Sequence, residues 1–204
     1  RNMNKKKCIF LDRDGTINVY KELLHKQEDI ELEKNAAEAI KMINDSDFIC
    51  IVISNQPVVA RNLCSLEEAW NINRKLEELL YKENGSYLDD IFICPHHPDK
   101  GYPEENKEYK IDCDCRKPKI GMILEAAKKH NIDLSKSYMV GDTTIDIMTG
   151  KNAGLQTILV KTGLAGQDKI FNVNANFVKD DLLKAIKKLL EDDFNAKLKC
   201  RNME

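Results

Sequence analysis

Two carboxylates open the chemistry of this chain. Asp12 and Asp14 stand in Asp12-Arg13-Asp14-Gly15-Thr16, directly after the apolar run Cys8-Ile9-Phe10-Leu11. Acidic residues two apart at the end of a buried strand are costly to desolvate unless a cation or ligand uses them. One carboxylate can attack phosphorus to form an aspartyl-phosphate. A second can protonate the leaving oxygen and then deprotonate the hydrolytic water. Gly15 permits the tight turn that follows. Ser54-Asn55-Gln56, after Phe48–Ile53, offers a hydroxyl, two amides and nearby backbone N–H groups to phosphoryl oxygens. Asp142 and Asp146 follow Tyr138–Val140 in Gly141-Asp142-Thr143-Thr144-Ile145-Asp146. Asp142 is placed to share a hard cation such as Mg²⁺ with Asp12, and Asp146 to orient a metal-bound water. On spacing alone, Asp142 as a helix N-cap and Asp146 as an exposed helix residue is an equally open reading.

A second constellation lies between Cys94-Pro95-His96-His97-Pro98 and Cys113-Asp114-Cys115-Arg116-Lys117-Pro118-Lys119. Three thiolates from Cys94, Cys113 and Cys115 with the imidazole of His96 make a closed tetrahedral set for structural Zn²⁺; His97 is the alternative imidazole. The metal would order a Pro-rich loop and project Arg116 and Lys117 toward the strand-end carboxylates, where phosphoryl transfer needs positioned positive charge. The chain has seven cysteines. The odd number argues against a closed disulfide framework.

These residues need elements to hold them. Continuous apolar runs predict buried strands at Cys8–Leu11, Phe48–Ile53, Ile91–Cys94, Tyr138–Val140 and Thr157–Val160, with a weak one at Asn176–Val178. Helical patterns intervene. One holds Ala36, Ala37, Ile40 and Ile43. A second opens on a Ser65–Glu68 capping box and runs to about Lys82. A third spans about Lys119–Asn131, a fourth about Thr144–Ala153, stopping at Gly154. The last carries Leu182, Leu183, Ile186, Leu189 and Leu190 on one face. Strand–helix alternation predicts a three-layer α/β fold with a parallel sheet and right-handed crossovers. In such sheets ligands bind beyond the carboxyl ends of the strands. The tail after Glu191 is polar and is expected to fray.

The 204 residues suit a single domain, and 42% hydrophobic content supplies a core. With 32 Lys+Arg against 34 Asp+Glu, the net charge of −2 gives no electrostatic footprint for nucleic acid or an anionic membrane. No apolar run reaches the roughly 18–20 residues of a membrane span. A soluble, cytoplasmic protein is expected.

Leu11-Asp12-Arg13-Asp14-Gly15-Thr16, Ser54, a lysine before the next helix and Gly141-Asp142-x-x-x-Asp146 resemble, in order, the four motifs of the haloacid dehalogenase (HAD) superfamily. The resemblance implies a Rossmann-like core with Asp12 as nucleophile and Asp14 as general acid/base. Mg²⁺ would be held by Asp12, Asp14 (through its backbone carbonyl) and Asp142. Ser54 and a lysine would steady the phosphoryl group; Lys117 is preferred to Lys119. Cys113-Asp114-Cys115-Arg116-Lys117-Pro118 is similar to the zinc-containing branch of the superfamily, which has little or no cap and includes phosphatases of D-glycero-D-manno-heptose 1,7-bisphosphate and of histidinol phosphate. That implies a phosphorylated sugar as first-choice substrate, histidinol phosphate as alternative, and a monomer. Arg13, Asn55, Gln56, Arg116 and Thr143 are the candidate substrate contacts. Val19-Tyr20-Lys21-Glu22-Leu23-Leu24 departs from the polar, Gly-containing loop usual in the heptose enzymes. The extension Asp99–Asn106 and the start at Arg1 resemble a phosphatase domain fused to a sugar nucleotidyltransferase.

Overall fold

The computed structural model describes residues 4–99 and 105–204. The start of the chain and most of the Asp99–Asn106 extension lie outside the described residues. The strands are β1 (Lys7–Leu11), β2 (Phe48–Asn55), β3 (Asp90–Cys94), β4 (Tyr138–Gly141), β5 (Gln156–Val160) and β6 (Phe177–Lys179). They form one sheet in the order β3-β2-β1-β4-β5-β6. Every pairing is parallel. The helices are α1 (Ala36–Asn44), α2 (Leu66–Asn84), α3 (Gly121–His130), α4 (Thr144–Asn152) and α5 (Leu182–Arg201).

Strand side chains alternate between two cores. Ile9, Leu11, Cys50, Val52 and Val140 join α1, α2 and α5 on one face. Cys8, Phe10, Ile51, Ile53 and Met139 join α3 on the other. Gly150 of α4 lies on that second face, where a Cβ would stand 2.9 Å from Met139 Cβ. Both faces of the central strands are therefore buried, and their sequences are apolar throughout.

The chain winds from β1 through β2 to β3, then crosses back to start again at β4 on the other side of β1. The crevice between β1 and β4 is thus the switch point of the topology, where open α/β sheets bind ligands. Leu11 pairs with both Val52 and Val140. One step further, Asp12 lies level with Ile53 of β2 and with Gly141, the end of β4. Segment 18–35 contains a single described 3-10 turn, Gln27–Asp29, and no cap domain.

One expectation is corrected. The tail does not fray after Glu191: α5 continues to Arg201. Its second half is tied back by Lys7 Nζ to Asp193 at 2.9 Å and by Lys197, which bridges Asp193 and Asp47. Charge pairing, not apolar burial, carries this extension, so a hydrophobic pattern could not reveal it. Among the described residues, no helix is long and apolar enough to cross a membrane.

Candidate active site

Asp12, Asp14, Asn55, Arg116, Lys117, Asp142, Thr143 and Asp146 share a cleft of about 210 Å³ at the carboxyl edge of the sheet, rimmed by Tyr20, Pro57, Ile145 and Leu164. Asp12 is fixed to the strand by its N–H, which donates to Val140 O at 3.0 Å. Lys117 crosses from the loop before α3. Its Nζ donates to Asp12 Oδ1 at 2.9 Å, Asp146 Oδ1 at 2.7 Å and Ile53 O at 3.1 Å. Lys119 instead lies at the surface, on Asp112 Oδ1 and Cys113 O, both at 2.8 Å. The structure therefore brings Lys117, and not Lys119, into the site.

Asp146 is buried and is not an exposed helix residue. Thr143, not Asp142, is the N-cap of α4: its side chain and that of Asp146 form a reciprocal capping box. Gly141 makes room for Asp146, since a Cβ there would fall 2.3 Å from Asp146 Oδ2.

Asp142 is held by parts of the chain that strand-end motifs do not reveal. Its Oδ2 accepts from Leu164 N–H at 2.8 Å. Gly15 (φ +83°) and Gly163 (φ +57°) press against the same oxygen; a Cβ on either would meet it at 2.2 and 2.3 Å. Thr162 Oγ1 donates to Gly15 O at 2.7 Å, locking the two turns together. Thr162-Gly163, two residues beyond the end of β5, was the available signal, at the same sheet edge as the other candidates.

This leaves Asp142 Oδ1 buried without a partner. Asp12, Asp142 and Asp146 offer oxygens within 4.8 Å of one another. Burial, then the charge of Asp146, pushes the Asp142 carboxyl up to about 7. Burial and Asp146 also push Asp12 up, against the pull of Lys117. Burial alone would lower Lys117, but Asp12 and Asp146 hold it well above the usual lysine range. Three carboxylates against one ammonium, with an orphaned buried oxygen among them, is a donor set that fits a hard divalent cation.

Asn55 and Thr143 line the cleft. Asn55 also clamps the lysine loop: its Oδ1 accepts from Lys117 N–H at 2.9 Å and its Nδ2 donates to Lys117 O at 3.2 Å. Arg116 lines the cleft with Nη1 buried and unpartnered. Arg13 and Gln56 are corrected. Arg13 is fully buried and its guanidinium binds Asp14, Asn73 and Gln56. The fork is consumed by protein acceptors and does not face the cleft. Gln56 is equally buried and donates to Asp14 and to Ser54 Oγ. Ser54 sits beneath that amide, also buried. Asn73, on α2, was missed.

Next to this cleft lies the cysteine cluster. Cys94 ends β3, paired in register with Asn55. The thiols of Cys94, Cys113 and Cys115 and a ring nitrogen of His96 all lie within 4.8 Å of one another. None of the three cysteines is in a disulfide. His96 stacks on Tyr109 with centroids 6.1 Å apart, while His97 Nδ1 instead accepts from Asp99 N–H at 3.0 Å. Three sulfurs and one imidazole nitrogen fit tetrahedral Zn²⁺.

Comparison with known proteins decides the family. The chain is 44% identical over 161 residues to the D-glycero-alpha-D-manno-heptose-1,7-bisphosphate 7-phosphatase of Photorhabdus laumondii, covering 78% of this chain and 85% of that one. A HAD-hydrolase-like family model matches residues 114–185. The chain belongs to the HAD-like hydrolases. This hydrolase is also 38% identical over 161 residues to the D-glycero-beta-D-manno-heptose-1,7-bisphosphate 7-phosphatase of Haemophilus ducreyi, covering 78% and 86%. Its fold matches a D,D-heptose 1,7-bisphosphate phosphatase from B. bronchiseptica, solved with magnesium and phosphate. The TM-score is 0.78 at 29% identity, over 91% of this chain and 99% of that one.

Proposed function

We propose that this HAD-like hydrolase is a Mg²⁺-dependent phosphatase that removes a phosphate from D-glycero-D-manno-heptose 1,7-bisphosphate through an aspartyl-phosphate on Asp12. The observation that carries the reading is the Asp12–Lys117–Asp146 bridge beside the unpartnered Asp142 Oδ1. The names of the relatives supply the substrate class.

In this reading Mg²⁺ would be held by Asp12, Asp142 and the main-chain carbonyl of Asp14, with Asp146 behind them. When bound it neutralises charge on the phosphoryl oxygens. Asp12 attacks phosphorus in line. Asp14, protonated, gives its proton to the leaving sugar oxygen as the P–O bond breaks. As carboxylate it then takes a proton from the water that attacks the aspartyl-phosphate, and Asp12 is regenerated. Lys117 and Ser54 steady the phosphoryl group, Lys117 compensating charge as it moves from ester to Asp12. Arg116, with its buried unpaired Nη1, binds a further anionic group of the substrate. Asn55 and Thr143 contact the substrate from the cleft walls. Cys94, His96, Cys113 and Cys115 would hold Zn²⁺, which would fix the loop carrying Arg116 and Lys117. The chain works as a single, cytoplasmic, monomeric domain on a small phosphorylated sugar, with no nucleic-acid or membrane partner.

The test is phosphate release with Mg²⁺, comparing kcat/KM for both anomers of the heptose bisphosphate with that for L-histidinol phosphate. A preference of several orders of magnitude for either heptose anomer is expected, and the preferred anomer fixes the product. Preference for histidinol phosphate would overturn the substrate and leave the chemistry of Asp12 and Asp14 standing.

A further inference from the structure

Arg13 is an anomaly in the site. It lies between the two reactive carboxylates in sequence, yet its side chain is fully buried. Consecutive residues at a strand end normally point to opposite sides. Here a coiled turn overrides that alternation: the N–H groups of Thr16, Ile17 and Asn18 all donate to Arg13 O, at 3.2, 2.9 and 3.3 Å. The guanidinium curls back on its own neighbour. Nε donates to Asp14 Oδ1 at 3.2 Å, and Nη2 to Oδ1 and Oδ2 at 3.1 and 3.2 Å. Nη2 also donates to Gln56 Oε1 at 3.1 Å. Gln56 Nε2 in turn donates to Asp14 Oδ2 at 3.3 Å and to Ser54 Oγ. Asn18 Nδ2 completes the set on Asp14 Oδ1 at 2.8 Å.

Among the described residues, one side-chain hydrogen bond ties Arg13 of this ring to a helix. Arg13 Nη1 donates to Asn73 Oδ1 at 2.9 Å. Asn73 sits on α2 among Ala69, Ile72, Leu76 and Leu80, the apolar stripe facing the core. A polar residue in that stripe is tolerated only if its hydrogen bond returns the desolvation cost. Its Oδ1 does so, while its Nδ2 has no partner. The oxygen alone is what the position uses. A planar guanidinium with one edge anchored on a helix cannot rotate in its plane, and Asp14 and Gln56 inherit that orientation.

We propose that Asn73 is a positioning residue that, through Arg13, fixes the carboxyl of Asp14 for proton transfer to the leaving group and the amide of Gln56 over Ser54. The proposal rests on the phosphatase reading for its kinetic consequence. Its structural content stands independently of it.

The test uses two variants of the whole protein. Asn73→Ala removes the acceptor. Asn73→Asp keeps an oxygen at Oδ1 and loses no existing bond, because Nδ2 makes none. Rates with Mg²⁺ are compared on phenyl phosphate, whose departure needs a proton, and p-nitrophenyl phosphate, whose departure does not. A misplaced general acid costs more on the first ester. Asn73→Ala is expected to lose roughly tenfold more kcat on phenyl phosphate than on p-nitrophenyl phosphate. Asn73→Asp is expected to restore the wild-type ratio. A structural defect would lower both rates equally, and equal losses would overturn the proposal.

A second readout needs no turnover. The Nε–H resonance of Arg13, identified by its loss in Arg13→Lys, is expected to be protected from exchange in wild type and Asn73→Asp and to lose that protection in Asn73→Ala. An unchanged resonance in Asn73→Ala would overturn the proposal. Absence of phosphate release from every ester by wild type would instead remove the phosphatase reading, and the resonance alone would then decide the positioning claim.

Discussion

Lys117 reaches Asp12 across 105 residues of chain, placing Nζ 2.9 Å from Oδ1. The contact joins the loop before α3 to the end of the central strand, and it is made by a buried lysine against a buried carboxylate. Removing the ammonium leaves three clustered acids without the buried cation that pairs with Asp12 and Asp146. Lys117→Ala should therefore cost about 10²–10³ in kcat, the size of a lost charge-stabilising donor. Lys119→Ala, at an exposed ion pair, should stay within about twofold of wild type. Steady-state kinetics on the two variants separates them; equal losses would refute the assignment of Lys117.

Asp142 predicts a pH dependence of stability. Its folded-state value of about 7 lies above the ordinary aspartate value of 3.8. The folded protein therefore binds more protons than the unfolded one between these limits, and stability falls as pH rises through that window. In Mg²⁺-free buffer, Tm should drop from pH 5 to pH 8. Asp142→Asn should flatten the drop, and Mg²⁺ should restore Tm in wild type but not in the variant. Thermal melts across pH check the sign.

Gly163 carries a sharper steric prediction. At φ +57°, a Cβ at this position would stand 2.3 Å from Asp142 Oδ2, so Gly163→Ala must move either the turn or the carboxylate. The Mg²⁺ concentration for half-maximal activity should rise roughly tenfold. Gly154→Ala is the control, since it shares a positive φ but meets nothing within 4 Å. Similar Mg²⁺ requirements in both variants would remove Gly163 from the site.

The cysteine cluster predicts one Zn²⁺ per chain by elemental analysis. His96→Ala should lose the metal and lower Tm, whereas His97→Ala should retain it, because His97 turns toward Asp99. Retention in His96→Ala would reverse the choice of imidazole.

What could be read from the residues depended on where their partners lie. β2 is apolar at every position from Phe48 to Ile53, so the sheet was visible, and Asp12, Ser54 and Asp142 stood out as polar residues at strand ends. Lys117 was legible because it follows the Cys113–Cys115 pair. Arg13 was misplaced because a charged residue between two reactive acids resembles a substrate contact; only the turn at 13–18 and Asn73 turn it inward. Asn73 itself could have been noticed as the one amide on the apolar stripe of α2. The hold of Leu164 on Asp142 joins segments 22 residues apart through a backbone N–H, which carries no side-chain signature.

The most direct test of the account is to trap the intermediate. Wild type is mixed with Mg²⁺ and a heptose bisphosphate labelled with radioactive phosphorus at the transferred position, quenched in acid within the first turnover, and mapped by peptide. The account predicts an acid-stable, hydroxylamine-labile label on the peptide containing Asp12, absent in Asp12→Asn, which should also be inactive yet folded. Rapid phosphate release with no labelled protein, together with substantial turnover by Asp12→Asn, would contradict it.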